Sequence, residues 1–396
     1  MSGKNTTMSR AKHLGAALLA ALVLPGLLAG TSLSGEDAVK HPKNPELADL
    51  PEGTAKLISS GHKASPAVLD FSGMVYDPLR HKILTFGGGH ATQDFPTSVH
   101  EFDLQTLKWT QLTEEVPPEA LSAENAVKSA DGTALGGVKY KDKIHAGSRH
   151  TYGGLVMLPG TSLMAVGTSM EFAGAAGRMP EGGKLYRDNY QGGSGLWIFD
   201  PVKREWSVSK KAGLVSNYGS SVCDPQQPDW IYHWGYKSIQ MINWKTEETR
   251  GLPNMTLGGL GGIAYNPEDR CFYVAPCPVG QPKNTVIMKF DIKAGKWEKL
   301  TPAGDAPSTY DTNIVYDEIN KVMVCFSQGL AHYYSPKENK WYKLDQQLGK
   351  DFDNRPMRHH HVYDPVDNVH IVTSTRWNTY AYKFSDQPGK LPGTSK

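Results

Sequence analysis

The chain has few cysteines, and this scarcity excludes a fold held together by disulfides. There are four cysteines in 396 residues, whereas a disulfide framework uses several pairs in a short exported chain. Cys223, Cys271 and Cys325 lie in predicted strands, where a free cysteine usually acts as a small buried hydrophobic residue. Cys271 and Cys277 are too far apart along an extended strand to bridge each other. Two alternatives stay open: a bridge between neighbouring sheets, and a zinc site with thiolate and histidine ligands.

The chain also lacks an excess of charge of one sign and, after its first residues, a long hydrophobic run. Its formal net charge is +2, which gives no electrostatic reason to bind nucleic acid or an anionic surface. The apolar run from Leu14 to Leu28 is short, contains a proline and follows the basic residues Arg10 and Lys12. This pattern is typical of an export signal, with an uncleaved membrane anchor as the alternative. Thr31 stands where a lipoprotein would need cysteine.

A module of two predicted strands recurs four times along the chain. An aromatic residue is followed by Asp, or by Ser in one copy, and Trp follows after five more residues. The copies are Glu101-Phe102-Asp103 with Trp109, Ile198-Phe199-Asp200 with Trp206, Lys289-Phe290-Asp291 with Trp297, and Tyr333-Tyr334-Ser335 with Trp341. Evenly spaced strand pairs that cannot bury their own faces must stack on copies of themselves.

Each module is preceded by two apolar strands that are joined at a polar turn. The turns are Asp77-Pro78, Asp224-Pro225, Asn266-Pro267 and Asp364-Pro365, with Asp317-Glu318 and Pro159-Gly160 in the same place. Proline presets the turn dihedral and Asp bonds its own backbone. This strand pair and the module that follows it together make a four-stranded sheet of roughly 45–65 residues, the size of a propeller blade.

The sequence therefore predicts an all-β fold, a β-propeller of four-stranded blades. Six blades are expected to begin near Phe71, Tyr152, Tyr218, Leu260, Asp311 and Arg358. A seventh, degenerate blade is the alternative. The last blade lacks a Trp strand, and the segment Ala55–Ile58 is expected to supply its outer strand and so to close the ring.

This pattern resembles the kelch-type propeller family, which includes the propeller domain of galactose oxidase. Phe86-Gly87-Gly88-Gly89 after the second strand of the first blade and Trp109 carry the resemblance, which covers roughly Ala55 to Phe384. It implies the propeller fold, and propellers host enzymes, scaffolds and receptors alike. The Tyr-Cys copper site of galactose oxidase has no counterpart. The expected segments are a signal peptide at 1–35, a polar tether at 36–53, the propeller at 54–386 and a disordered tail at 387–396.

In a propeller blade, each loop lies at one of the two ends of the four-stranded sheet. The Asp-Pro turns lie at one end, here called the turn end, and are short and repetitive. The approaches to the first strands and the loops between second and third strands lie at the other, here called the upper end. Two insertions, Glu114–Ala146 and Thr168–Gly195, also lie there, and long structureless loops are usually functional or disordered. They are expected to form a wall or lid beside a groove, or else surface decoration.

The upper end gathers the candidate site residues. His90 follows three glycines, which let backbone and ligand approach closely, and His150 stands at the approach to the next blade. Tyr218 is either a phenolic acid or base or a residue that lines the central channel. The expected catalytic residues are His90, His150, Tyr218 and Arg149. The expected substrate-binding residues are Arg358, His359, His360, Arg376, Trp377, Tyr310 and Tyr236. His81, His100, His332 and His370 are expected in strands or at the turn end and are therefore not counted as site residues.

An exported propeller with His, Tyr and Arg at one end is similar to the ulvan lyases, secreted propellers that cleave uronic-acid polysaccharides by β-elimination. That reaction needs a cation at the carboxylate, a base for the neighbouring proton and an acid for the leaving oxygen. The expected function is therefore a polysaccharide lyase in which His90, His150 and Tyr218 transfer protons and an arginine neutralises the carboxylate. Glycoside hydrolysis is less favoured, because the upper end offers no convincing pair of carboxylates.

The alternative function is a non-catalytic propeller that binds a glycan or a protein partner with the same side chains. The expected partner is a polysaccharide or oligosaccharide, with no nucleic acid and no membrane after signal cleavage. The protein is expected to be secreted or periplasmic and monomeric. No cofactor is expected. A divalent metal held by His359, His360 or His361 with a histidine of another blade stays open.

Overall fold

The aromatic–Trp module folds into two paired antiparallel strands in each of its four copies. The computed structural model describes residues 40–63, 69–88, 96–170, 184–216, 219–235, 239–254, 260–277, 286–307, 313–327, 329–349 and 360–386. The same cross-strand neighbours recur: Phe102 with Trp109, Phe199 with Trp206, Phe290 with Trp297, and Tyr334 with Trp341. Such aromatic pairs stabilise the two strands that carry them.

The turn inside the module is stabilised by the aspartate that follows the aromatic residue. Asp103 Oδ1 accepts hydrogen bonds from the backbone N–H groups of Gln105 and Thr106, at 2.8 and 3.0 Å. Leu107 then takes the left-handed conformation, with φ of 55°, and its N–H donates to the Asp103 carbonyl. Ser335 replaces the aspartate in the fourth copy, where its Oγ accepts from the N–H of Glu338.

The strands follow one another in chain order and form seven sheets within the described residues. The first strand in the described residues is β1 (Thr54–Ser59). The first sheet contains β2 (Gly73–Asp77), β3 (Lys82–Phe86), β4 (Val99–Asp103) and β5 (Lys108–Gln111). A three-stranded sheet contains β6 (Ala126–Lys128), β7 (Ala134–Tyr140) and β8 (Lys143–Ala146). The second four-stranded sheet contains β9 (Leu155–Met157), β10 (Met164–Val166), β11 (Trp197–Asp200) and β12 (Glu205–Val208).

The remaining sheets repeat the same meander. The third contains β13 (Gly219–Cys223), β14 (Trp230–Gly235), β15 (Ile239–Asn243) and β16 (Thr249–Gly251). The fourth contains β17 (Leu260–Asn266), β18 (Cys271–Cys277), β19 (Ile287–Asp291) and β20 (Lys296–Leu300). The fifth contains β21 (Ala303–Gly304), β22 (Val315–Asp317), β23 (Val322–Ser327), β24 (Leu330–Ser335) and β25 (Lys340–Gln347). The sixth contains β26 (His361–Asp364), β27 (Val369–Thr373), β28 (Thr379–Lys383) and, at its outer edge, β1.

The first strands of these sheets lie side by side, as the blades of a propeller do. Each of β2, β9, β13, β17, β22 and β26 contacts the next, and β26 also contacts β2. A cavity of about 500 Å³ lies among them. Its lining takes one valine or alanine from each first strand: Val75, Val156, Val222, Ala264, Val315 and Val362. The fold is thus all-β, with four-stranded antiparallel sheets arranged like blades.

The first strand of the chain pairs with the last. Ala55 lies opposite Tyr382 and Leu57 opposite Tyr380 in an antiparallel register. Before this strand, the short helix α1 (Pro45–Ala48) begins at Asn44, whose side chain accepts the N–H of Glu46.

The two insertions contain more structure than expected, and they pack on each other. Strands β6–β8 lie in the first, and helix α2 (Lys184–Asn189) lies in the second. Tyr190 of the second insertion donates its hydroxyl to the Ser122 carbonyl of the first, at 2.5 Å. A glycine makes the contact with the second sheet, because a Cβ at Gly137 would lie 2.1 Å from the Trp197 ring. The expectation of a structureless loop over Glu114–Ala146 was therefore wrong.

At the turn end, acidic residues of one sheet reach a side chain of the next sheet. Asp77 accepts from Ser162 at 3.1 Å, and Asp224 accepts from Arg270 at 2.6 Å. The remaining two contacts are those of Asp317 with His370, at 3.2 Å, and of Asp364 with His81, at 3.0 Å. All four carboxylates are buried. These contacts fasten neighbouring sheets and agree with a structural role for the Asp-Pro turns.

Candidate functional site

The upper end of the first sheet lies between segments of two other sheets. The N–H of Leu69 donates to the Thr375 carbonyl, in the turn between β27 and β28, at 2.8 Å. The N–H of Thr151, at the approach to the second sheet, donates to the Phe71 carbonyl at 3.0 Å. Residues 69–72 therefore connect the approach to the second sheet with the turn that carries Arg376.

A histidine and a tyrosine meet at this approach. The Nδ1 atom of His150 lies 3.2 Å from the hydroxyl of Tyr152, a hydrogen-bonding distance. The ring of Phe71 packs on the imidazole, with centroids 5.0 Å apart. His150 retains 8% of its exposure, and Tyr152 retains 3%. The pair is therefore almost fully buried, with the Phe71 ring packed against the imidazole.

The backbone around this pair adopts strained conformations. Phe71 and Tyr152 both have positive φ, of 55° and 41°, which bulky residues rarely adopt. Gly73 makes room for the strained segment, because a Cβ there would lie 2.1 Å from the Tyr152 carbonyl oxygen. Such strain persists only where surrounding contacts enforce it, and it concentrates at functional sites.

Arg149 does not face this site. Its side chain is completely buried, and its guanidinium donates to the carbonyls of Gly147 at 2.9 Å, Thr168 at 2.7 Å and Gly136. Gly136 and Thr168 belong to the two insertions, so Arg149 holds both of them on the second sheet. The catalytic role of Arg149 stays a prediction, and the structure shows this guanidinium buried and bonded to backbone carbonyls.

Two of the expected substrate-binding residues are also buried. His360 is completely buried and bonds through Nε2 to the Ser72 hydroxyl. Trp377 is 1% exposed and packs against Trp109, with centroids 5.1 Å apart. Sugar stacking on Trp377 stays a prediction, and in the structure its indole lies between the first and sixth sheets. Arg376, the residue before it, is exposed and stays a candidate.

The remaining predicted site residues lie outside the described residues. These are His90, Tyr218, Tyr236, Tyr310, Arg358 and His359. The sequence prediction also missed two residues that contact His150, namely Phe71 and Tyr152. The contact of His150 with Tyr152 depends on a local conformation that the sequence did not signal, because Thr151 is helical and Tyr152 has φ of 41°.

Of the metal ligands considered at the upper end, the structure describes His360 and His361, and both bond to other protein groups. His361 bonds through Nδ1 to the Asn313 carbonyl at 3.0 Å and through Nε2 to His370 at 2.9 Å. Burial, together with the neighbouring His370, lowers the pKa of His361 well below its usual value. Burial raises the pKa of the Cys223 and Cys271 thiols. Both cysteines, like Cys325, are buried free thiols.

Comparison with known proteins adds no assignment to this geometry. No protein-family model matches the chain, and no similar sequence is found among curated proteins. Among the described residues, no helix has the length and apolar character that crossing a membrane requires.

Proposed function

We propose that the protein is a secreted carbohydrate-active propeller that cleaves uronic-acid polysaccharides by β-elimination. The contact between His150 and Tyr152 carries the proposal, because it joins two side chains that can transfer protons. The strained backbone and the aromatic packing around the pair add support. The proposed export rests on the N-terminal basic and apolar pattern, with residues 1–35 as the signal.

In this proposal the six sheets are six blades of a closed ring. The contact of β26 with β2, and the cavity lined by all six first strands, support closure. The pairing of β1 with β28 would hold the two ends of the chain together in one blade. Pairing also removes an open sheet edge, which would otherwise promote aggregation.

The proposed chemistry divides between the two side chains of the pair. One of them takes the proton next to the uronate carboxylate, and the other protonates the leaving oxygen. A cation must neutralise the carboxylate during proton removal. Arg149 is buried, so Arg376 is the described arginine that we assign to this task.

A second candidate function is binding of a glycan without catalysis. The observation that favours it is the burial of three predicted site residues, Arg149, His360 and Trp377. A lyase needs its acid, base and cation to converge, whereas these three side chains stabilise the fold. A binding propeller would need only the exposed side chains of the upper end.

Near-ultraviolet absorbance distinguishes the two functions, because elimination leaves an unsaturated uronate. The mature protein, from about Glu36 onward, is incubated with a panel of uronic-acid polysaccharides. Wild type, His150→Ala, Tyr152→Phe and Arg376→Gln are compared after circular dichroism has verified their fold. We expect a rise in absorbance that each substitution reduces at least 100-fold, in line with the loss of one acid–base or electrostatic group.

Tyr152→Phe is the most informative variant, because it keeps the ring and removes only the hydroxyl. Activity unchanged by both His150→Ala and Tyr152→Phe would refute the assignment of the pair. No absorbance change on any polysaccharide, with wild type bound to one of them in a glycan array, would favour the binding function.

A further inference from the structure

One Asp-Pro turn at the turn end holds two carboxylates beside a histidine. Asp364 and Asp367 come from the sixth sheet, and His81 comes from the first. His81 Nε2 lies 3.0 Å from Asp364 Oδ2 and 3.8 Å from Asp367 Oδ2. All three side chains are at most 1% exposed, and their potential ligand atoms lie within 4.8 Å of one another. We call these three residues the seam cluster.

Turns of three other sheets have a hydrogen-bond donor where the sixth sheet has Asp367. The fourth sheet also has an acid at this position, Asp269, but there the turn residue is Asn266 and Asp269 pairs with Lys289 at 2.9 Å. The side chain three residues after the turn aspartate donates to that aspartate in three other sheets. The pairs are Arg80 to Asp77 at 2.6 Å, Gln227 to Asp224 at 3.4 Å, and Asn320 to Asp317 at 2.8 Å. Asp367 occupies this donor position in the sixth sheet, and an ionised carboxylate has no proton to donate. The seam cluster therefore lacks the side-chain donor that the turns of the first, third and fifth sheets have.

One oxygen of Asp367 is unsatisfied. Its Oδ1 accepts the N–H of Asn44 at 2.8 Å, whereas Oδ2 is buried and has no hydrogen-bond partner among the described residues. The ammonium of Lys383 bonds to Asp386 at 2.7 Å and to backbone carbonyls, one of them that of Asp367 itself. A buried polar atom without a partner is costly. Burial and the neighbouring Asp364 raise the pKa of Asp367 to about 6.

We propose that the seam cluster binds one Zn²⁺ ion through His81 Nε2 and one carboxylate oxygen from each of Asp364 and Asp367. One imidazole and two carboxylates suit zinc, which accepts few ligands and both donor types. Ca²⁺ takes six to eight oxygen ligands and Mg²⁺ keeps several waters, and a buried three-residue cluster provides neither. The hydroxyl of Tyr76 bonds to Asp364 and would fix the orientation of that ligand.

Zinc would take the place of a proton on His81. Gln105 donates to Nδ1 at 3.3 Å, so the imidazole proton is on Nε2 and points to Asp364. When Zn²⁺ occupies Nε2, the imidazole carries its proton on Nδ1, and the Gln105 amide would have to turn and give up its bond to the Pro42 carbonyl, at 2.8 Å, to accept that proton. The ion would then join the first sheet to the sixth. This role is independent of the lyase proposal.

The chain supplies its own matched variants for a test. Asp367→Asn installs the residue that Asn320 provides at the equivalent position of the fifth sheet. His81→Asn installs the residue that Asn368 provides, and both positions are left-handed, with φ of 55° and 54°. His145→Gln, in the first insertion, is the control for histidine binding elsewhere. Full-length proteins are stripped with a chelator, titrated with Zn²⁺, Mn²⁺ or Ca²⁺ alone, and followed by calorimetry, metal analysis and thermal unfolding.

We expect wild type and His145→Gln to bind one Zn²⁺ per chain and to unfold at a higher temperature with it. Asp367→Asn and His81→Asn should bind at least 100-fold more weakly and lose this shift. Metal-free Asp367→Asn should be no less stable than metal-free wild type, because it removes the second carboxylate. Absence of stoichiometric zinc in wild type, equal affinity in the two cluster variants, or preference for Ca²⁺ over Zn²⁺ would each overturn the proposal.

Discussion

The imidazole of His233 is buried in the third sheet, and its surroundings favour the neutral form over the protonated form. Its Nε2 accepts the backbone N–H of Ser216 at 3.3 Å, and its Nδ1 lies 3.2 Å from the Ser221 hydroxyl. A Cβ at Gly219 would lie 2.4 Å from the ring, so backbone closes this side. Protonation would place an N–H on Nε2, directly against the Ser216 N–H. Burial accordingly lowers the pKa of His233 from its usual 6.5 to about 4.

This pKa shift predicts a loss of stability in mild acid. The unfolded chain takes up a proton at this histidine below pH 6.5, whereas the folded chain does so only near pH 4. The stabilising effect is therefore complete above pH 6.5 and is lost as the pH falls through this window. Each pKa unit corresponds to about 1.4 kcal/mol. The contribution of His233 is about 2 kcal/mol lower at pH 5 than at pH 7.5, and about 3 kcal/mol lower below pH 4.

Urea unfolding of wild type and His233→Gln at several pH values measures this contribution. Glutamine offers an uncharged donor and acceptor, so its effect on packing should not vary with pH. We expect the difference in unfolding free energy between the two proteins to be constant above pH 7 and to change by about 2 kcal/mol in favour of the variant by pH 5. With an m-value of about 3 kcal/mol/M, this is a midpoint change of about 0.7 M urea. A difference that stays constant from pH 7.5 to pH 4.5 would refute the reasoning.

Three further predictions concern the contacts that join the sheets. Replacing Arg149 with Met leaves three buried carbonyls without their donor, and each lost hydrogen bond costs roughly 1–3 kcal/mol of unfolding free energy. The thermal midpoint should therefore fall sharply, and an unchanged midpoint would contradict the role of Arg149 in holding the two insertions on the second sheet. Trp109→Phe keeps the aromatic packing but removes the indole bond to the sixth sheet, and urea unfolding should show a loss of about 1 kcal/mol. Gly137→Ala crowds the Trp197 ring and should lower the unfolding free energy by about 1–3 kcal/mol. Gly251→Ala, where a Cβ meets nothing within 4 Å, is its control.

The blade-like sheets could be predicted because their determinants are local and repeated. The Asp103 turn and the cross-strand pair of Phe102 with Trp109 depend on residues fewer than ten positions apart. Because this pattern is repeated, a strand that is ambiguous in one copy can be identified from the other copies. The sheet in the first insertion could not be predicted in this way, because it occurs once. Its position depends on Gly137 meeting Trp197, 60 residues later in the sequence.

The candidate site could be predicted only in part, because exposure at a loop is a tertiary property. Arg149 and His150 are neighbours in the sequence and have similar local signals, yet one is sealed by carbonyls of two insertions and the other meets Tyr152. The same difficulty hid the seam cluster, in which His81 and Asp364 are 283 residues apart. Comparison of equivalent positions overcomes it once the repeats have been aligned. A side-chain donor stands three residues after the turn aspartate in the first, third and fifth sheets, and Asp367 takes its place in the sixth.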